Sequence, residues 1–123
     1  MEGRHPKYLE LSTTCKHWDA YSLEKWDCAD RHHFNAIVSD FDLNDTYLVA
    51  IKYCVSRNAE YGGRASGVMC SYNELNGVPS CANKYILTNL LAEWAFEGYD
   101  VTDQRLAKLY CSDHQRISSS ILL

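Results

Sequence analysis

The sequence predicts an α/β fold in which three strands alternate with two helices. Three observations carry this. Two segments repeat apolar residues at helical spacing. Three short β-branched or apolar runs separate and flank them. The order is strand, helix, strand, helix, strand, which implies a parallel sheet joined by right-handed crossovers.

The first strand is "LSTTCKH", residues 11–17, a β-branched and apolar run. A long loop follows, "WDAYSLEKWDCADRHHFNAIV", residues 18–38, with two tryptophans, a tyrosine and several charges. A loop of this kind at the C-terminal end of a parallel strand is where such folds build binding sites. The first helix is "SDFDLNDTYLVAIKYCVS", residues 39–56, with Tyr47, Leu48, Ile51, Cys54 and Val55 on one stripe. Ser39 is its N-cap, with Asp42 three residues on and further acids in the first turn. The second strand is "SGVMCSY", residues 66–72. The second helix is "NKYILTNLLAEWAF", residues 83–96, capped by Asn83, with Ile86, Leu87, Leu90, Leu91 and Trp94 as its stripe. Gly98 is the residue expected to reverse the chain after it. The third strand is "YDVTD", residues 99–103, and the tail from Gln104 to Leu123 is poorly patterned.

Composition bounds the function. The chain has 123 residues, 46% apolar and 23% charged, which is globular rather than disordered. A net charge of −4 with no basic stripe argues against a nucleic-acid partner. No apolar run approaches the roughly 20 residues of a membrane span, so no membrane partner is expected. The N-terminal "MEGRHPKYLE" is polar and lacks the apolar core of a signal peptide. The six cysteines, at 15, 28, 54, 70, 81 and 111, form no Cys-x-x-Cys pair. They are not dense enough to require a disulfide scaffold. Cys28 with His32 and His33 has tolerable metal-ligand spacing but no second cluster, so no metal and no cofactor are expected. One sequon, Asn44-Asp45-Thr46, permits N-glycosylation in a secretory setting.

Three predicted strand ends carry polar residues: Lys16-His17, Ser71-Tyr72-Asn73 and Asp103. In parallel α/β folds these ends share one face. A carboxylate, a cation, a histidine and a tyrosine then converge. Singly, each has a plainer reading: Asp103 as a cap or loop anchor, His17 as a structural group, Lys16 as a solvated end and Met69 as core.

Four stretches, "TTCKHWDAYSLEKW", "DRHHFNAIVSDFDLNDTYL", "GVMCSYNELNGVPSCAN" and "GYDVTD", together resemble the N-terminal barrel domain of glycoside hydrolase family 3. The similarity covers about residues 6 to 103. It is strongest to the β-xylosidase and α-arabinofuranosidase branch, with β-glucosidases next. The N-acetylhexosaminidase branch differs, since it carries "FPG" after the "KH" pair where this chain has "KHWDAY".

The resemblance implies a partial (β/α)₈ TIM barrel of about three βα units. Residues 1–103 are then a partial family-3 barrel domain and residues 104–123 a divergent tail. It implies a retaining exo-glycosidase that removes terminal non-reducing sugars in the breakdown of plant-type polysaccharides or oligosaccharides. Asp103 matches the catalytic nucleophile. Lys16 and His17 match the pair that binds sugar hydroxyls, and Met69 and Tyr72 match residues lining the same subsite. The partner is an oligosaccharide or glycoside substrate, with the parent enzyme's C-terminal domain absent from this chain. The family's upstream arginine motif and its acid/base carboxylate are absent as well. The family setting implies a secreted, extracellular parent. Glu74, beside "SYN", is a tempting second carboxylate, which the family does not support.

Two positions depart from the family. Asp100 stands where it carries an apolar residue, and Gln104 replaces the Cys or Trp that follows the nucleophile. In a regular strand Tyr99, Val101 and Asp103 share one face and Asp100 faces the helices. Burial there raises a carboxylate's pKa. The alternative reading is a non-catalytic remnant keeping part of the fold and some sugar contacts. A third, a cysteine-stapled or metal-binding module, is disfavoured by the ordered motifs. Lys16 and His17 are consecutive, so both reach one sugar only if strand alternation breaks between them.

Overall fold

In the computed structural model, the structure describes residue 8, residues 10–57 and residues 62–103. The predicted tail 104–123, with Gln104 and Cys111, lies outside the described residues. Strands β1 (Thr14–Trp18), β5 (Gly67–Cys70) and β8 (Tyr99–Thr102) form a parallel sheet in the order β1-β5-β8. The predicted alternation and strand order are therefore present, and the fold is α/β.

The register separates two faces. Cys15, Val68 and Asp100 lie side by side on the face toward the helices. Lys16, Met69 and Val101 share the opposite face, as do Thr14, Gly67 and Tyr99. The Tyr99 hydroxyl crosses β5 to lie 3.0 Å from Thr14 Oγ1 and 2.9 Å from Ser12 Oγ.

The first crossover helix runs from α1 (Asp40–Asp42) through a π-helical stretch (Leu43–Tyr47) into α2 (Leu48–Val55). Ser39 caps it as expected: its Oγ accepts the Asp42 N–H at 3.1 Å. Leu48, Ile51 and Val55 are buried against Cys15, Val68 and Trp18 in one apolar core. The second crossover helix comprises a π-helical stretch (Tyr85–Leu90) and α3 (Leu91–Glu93). Asn83 caps it by accepting the Tyr85 N–H at 3.1 Å. Ile86, Leu90, Leu91 and Trp94 close the core from this side.

The end of this helix differs from the expectation. The left-handed residue is Ala95 (φ 54°), not Gly98. Phe96 N–H donates to the Leu91 carbonyl and Ala95 N–H to the Ala92 carbonyl, the two bonds of a Schellman cap. Gly98 has a different reason: a Cβ there would sit 2.0 Å from the Ser66 carbonyl oxygen. It is a close-approach glycine at the entry to β8.

Residues 18–38 are not a plain loop. They contain a small antiparallel ribbon, β2 (Lys25–Trp26) with β3 (Ala29–Asp30), and the strand β4 (Asn35–Ala36). β4 joins β6 (Glu74–Leu75) and β7 (Val78–Pro79) in a second sheet of order β4-β6-β7. Asn76 and Gly77, both left-handed, make the tight turn between β6 and β7. The Asn76 amide pairs with Val38, accepting its N–H at 2.8 Å and donating to its carbonyl at 2.9 Å.

Two disulfides lock these elements. Cys15 on β1 bonds Cys54 on α2, and Cys70 on β5 bonds Cys81. The sequence reading required neither. Both join residues that the sheet and its crossovers already bring together.

Candidate active site

The three polar strand ends lie at one end of the parallel sheet, because all three strands run the same way. At β1 the strand alternation breaks, as the family resemblance implies. Lys16 is in register with Met69 and Trp18 with Cys70, so the register slips at His17. The Lys16–His17 and Trp18–Asp19 peptide bonds are cis. Trp18 drops into the core, fully buried, edge-on to Trp94. His17 is left beside the sheet end, where its Nε2 lies 3.1 Å from Asp103 Oδ2. Both side chains are largely covered, at 25% and 17% exposure. Lys16 is exposed on the same face as Met69, which is half-buried.

Tyr72 is buried just beyond β5. Its ring meets His32 edge-on at 4.5 Å, and the Arg31 guanidinium sits 5.1 Å above it. Arg31 Nη1 also donates to Glu24 Oε1 at 2.7 Å, and the Tyr21 hydroxyl donates to Glu24 Oε2. Tyr21 stacks at 4.9 Å on His17 and packs against Cys70 and Tyr72. Tyr21 thus links the two halves of the predicted site. Burial and then the Glu24 hydrogen bond raise the Tyr21 pKa, keeping its hydroxyl a donor.

Tyr21, Glu24 and Arg31 lie in the long loop and carry no strand-end signal, whereas Asn73 is one of the polar strand-end residues. Tyr21 lies four residues after His17 and Arg31 sits in "DRHH", both inside motifs that carry the resemblance. Asn73 is fully buried, and its Nδ2 donates to the carbonyls of Asp19, Ala20 and Glu74. Ser71 Oγ donates to the Asp19 carbonyl at 3.1 Å. Together they hold the chain immediately after His17.

Asp19 is a buried carboxylate whose pKa burial pushes up to about 6, partly offset by the Ala20 N–H on Oδ1. Its Oδ2 has no hydrogen-bond partner among the described residues. Asp100 faces the helix side as expected, and desolvation likewise raises its pKa to about 6, against the backbone N–H groups of Val101 and Cys70. Glu74 belongs to the second sheet, paired with Asn35 and Pro79, rather than to the strand ends bearing His17 and Asp103. His33 Nδ1 pairs with Asp30 Oδ1 at 2.9 Å instead of joining Cys28 and His32. Among the described residues, no group of three or more His, Cys, Asp or Glu could hold a metal ion.

Comparison with known proteins supplies the family. No family model matches the chain. Over 96 residues, 77% of this chain, it is 46% identical to beta-D-xylosidase 1 of Arabidopsis thaliana, covering 12% of that protein. Over 119 residues, 93% of this chain, it is 40% identical to the probable exo-1,4-beta-xylosidase bxlB of Aspergillus flavus, covering 15% of it. A solved GH3 exo-beta-xylosidase (XlnD), in complex with a xylobiose aziridine activity-based probe, superposes with a TM-score of 0.79 at 32% identity. That match covers 89% of this chain and 14% of the other.

The chain belongs to glycoside hydrolase family 3. It spans about an eighth of the length of the curated relatives it matches, which carry beta-D-xylosidase names. A second family-3 structure, beta-glucosidase 3B from Thermotoga neapolitana in complex with glucose, superposes with a TM-score of 0.66 at 30% identity. It covers 76% of this chain and 12% of the other.

Proposed function

We propose that this chain contributes part of a retaining, β-xylosidase-like exo-glycosidase acting on terminal non-reducing sugars of plant-type oligosaccharides. Residues 1–103 form a partial (β/α)₈ barrel domain in this reading, and residues 104–123 a divergent tail. The observation that carries it is the pairing of His17 Nε2 with Asp103 Oδ2 at 3.1 Å, at the shared end of the parallel strands.

Asp103 attacks the anomeric carbon and forms a glycosyl ester, which water then hydrolyses. Retention needs a second carboxyl about 5–5.5 Å away to protonate the leaving oxygen and then activate the water. That group belongs to the parent enzyme's later domain. The His17 ring nitrogen, 3.1 Å from Asp103 Oδ2, holds that carboxylate in place at the strand ends. Lys16, His17, Met69 and Tyr72 form the subsite for the cleaved sugar: two donors for its hydroxyls, a thioether and an aromatic ring. The two disulfides support a secreted parent, because such bonds persist in oxidising compartments.

A second reading, a non-catalytic remnant, is favoured by Asp100. Asp100 is an exposed, partly desolvated carboxylate on the helix-facing side of β8, its pKa raised to about 6, and no catalytic role explains it.

The test is a graft of residues 6–103 into a full-length family-3 β-xylosidase, replacing the matching stretch. The graft is treated with an aziridine probe of xylose configuration. The expected result is an ester on the Asp103 peptide, absent from the Asp103→Asn graft. A folded graft that takes no label where the host enzyme does would establish the remnant.

A further inference from the structure

We propose that Asn44 carries an N-linked glycan, and that this glycan covers the open end of an apolar groove between the two crossover helices. Three observations carry it. Asn44-Asp45-Thr46 is the chain's single Asn-x-Ser/Thr sequence. All three residues are exposed on the helix, outside the core. The disulfides Cys15–Cys54 and Cys70–Cys81 mark a chain that folds where such bonds form, the compartment in which this modification occurs.

The chemistry is a group transfer from a lipid-pyrophosphate-linked oligosaccharide. The Asn44 Nδ2 attacks the donor sugar's C1, the C1–O bond to pyrophosphate breaks, and a C1–N bond forms. The lipid pyrophosphate leaves, and one amide proton passes to a base of the transferase. In the folded chain Asn44 Nδ2 donates to the Asp40 carbonyl at 2.7 Å, within the helix. Transfer therefore precedes closure of this turn. The glycosylated amide keeps one N–H, so the bond to Asp40 can form afterwards and the modification is compatible with the fold.

Asn44 also lines a groove of about 380 Å³, with Val49, Tyr53, Tyr85 and Trp94 among its walls. Trp94 is its buried floor, while Tyr53 is 56% and Tyr85 44% exposed at its rim. An exposed apolar rim of this kind favours association unless something polar covers it. A glycan rooted at Asn44 places polar sugars at its open end.

The experiment translates the whole chain behind a secretion leader, first with microsomal membranes and then in a secreting eukaryotic host. One glycan-sized mass shift, removed by peptide-N-glycosidase, is expected for the parent and for Thr46→Ser. Loss of the shift is expected for Asn44→Gln and for Thr46→Ala. Sugar transfer acts on the unfolded chain, so a folding defect cannot mask it. Translocated, disulfide-bonded parent chain without the shift would overturn the proposal. Secreted soluble yield reads the covering role: it should fall for Asn44→Gln and Thr46→Ala but not for Thr46→Ser. Equal yields for all four chains would overturn that role.

Discussion

His17 and Asp103 meet at 3.1 Å although the strands that bear them are not neighbours. β5 lies between β1 and β8, and two strand spacings are about 10 Å. The gap closes because His17 drops out of register at the end of β1, so its ring leans across the sheet end toward Asp103.

Turnover should depend on this pair in the grafted full-length enzyme. Asp103→Asn keeps the volume, removes the proposed nucleophile and should lower kcat by several orders of magnitude. His17→Ala removes a hydrogen bond to a charged group, worth about 1.5–3 kcal/mol. It should lower kcat/KM by about 10- to 100-fold. The 123-residue chain alone should not hydrolyse aryl β-xylosides at a useful rate, since general acid assistance typically contributes about 10²–10⁴-fold. Steady-state assays on aryl xylosides decide each point. Parental activity in the Asp103→Asn graft would remove Asp103 from the mechanism.

Stability should fall as pH rises from about 4 to about 7, contrary to the usual carboxylate trend. Asp19 and Asp100 have folded pKa values raised to about 6 from 3.8. Between these limits the folded state binds more protons than the unfolded state, so raising the pH favours unfolding. For buried Asp19 this amounts to about 3 kcal/mol. Asp100 adds a smaller, solvent-screened amount. Denaturant midpoints across this range should show the slope. Asp19→Asn should flatten it, and Asp100→Val should flatten it further while keeping or raising activity in the graft. A slope unchanged in both variants would show that other groups control it.

Reduction should unfold the chain. Cys15 and Cys54 are 39 residues apart, and Cys70 and Cys81 are 11 apart. In the chain-entropy account such bridges contribute about 4 and about 3 kcal/mol. β1 and β8 are edges of the described sheet, and Trp26, Ile37 and Phe41 are exposed, so the remaining margin is small. The oxidised chain should melt broadly and the reduced chain should lose its near-ultraviolet signal. A sharp, cooperative melt of the reduced monomer would contradict this.

Asn73→Ala should loosen the site from beneath. It strips donors from the buried carbonyls of Asp19, Ala20 and Glu74 and should cost about 1–3 kcal/mol or more. Because the Asp19 and Ala20 carbonyls lie just after His17, the graft should also lose kcat/KM beyond what the melting shift explains. Thermal melts and kinetics on the same variant separate the two effects.

Much of the fold was legible because its signals are local. The stripes of residues 39–56 and 83–96, the caps Ser39 and Asn83, and the alternation of elements all follow from neighbours in sequence. The break at Lys16-His17 was legible only through the resemblance, which implies that both side chains reach one sugar, something a regular strand does not allow. The Asn76-Gly77 pair is a hairpin signal that periodicity does not support, because its flanking strands are only two residues long.

The sequence alone determined an α/β chain with parallel strands, a candidate carboxylate at Asp103 and a family resemblance carried by ordered motifs. The tertiary structure decided what depends on distant partners. It paired Cys15 with Cys54 and Cys70 with Cys81, and it turned residues 18–38 into a small ribbon and a strand of a second sheet. It put the helix-ending left-handed residue at Ala95 and made Tyr21 the contact between His17 and the Tyr72 cluster. The physical reason is the same in each case. Periodicity and capping are properties of consecutive residues. Disulfide choice, ring stacking and close backbone approach depend on which strands lie side by side.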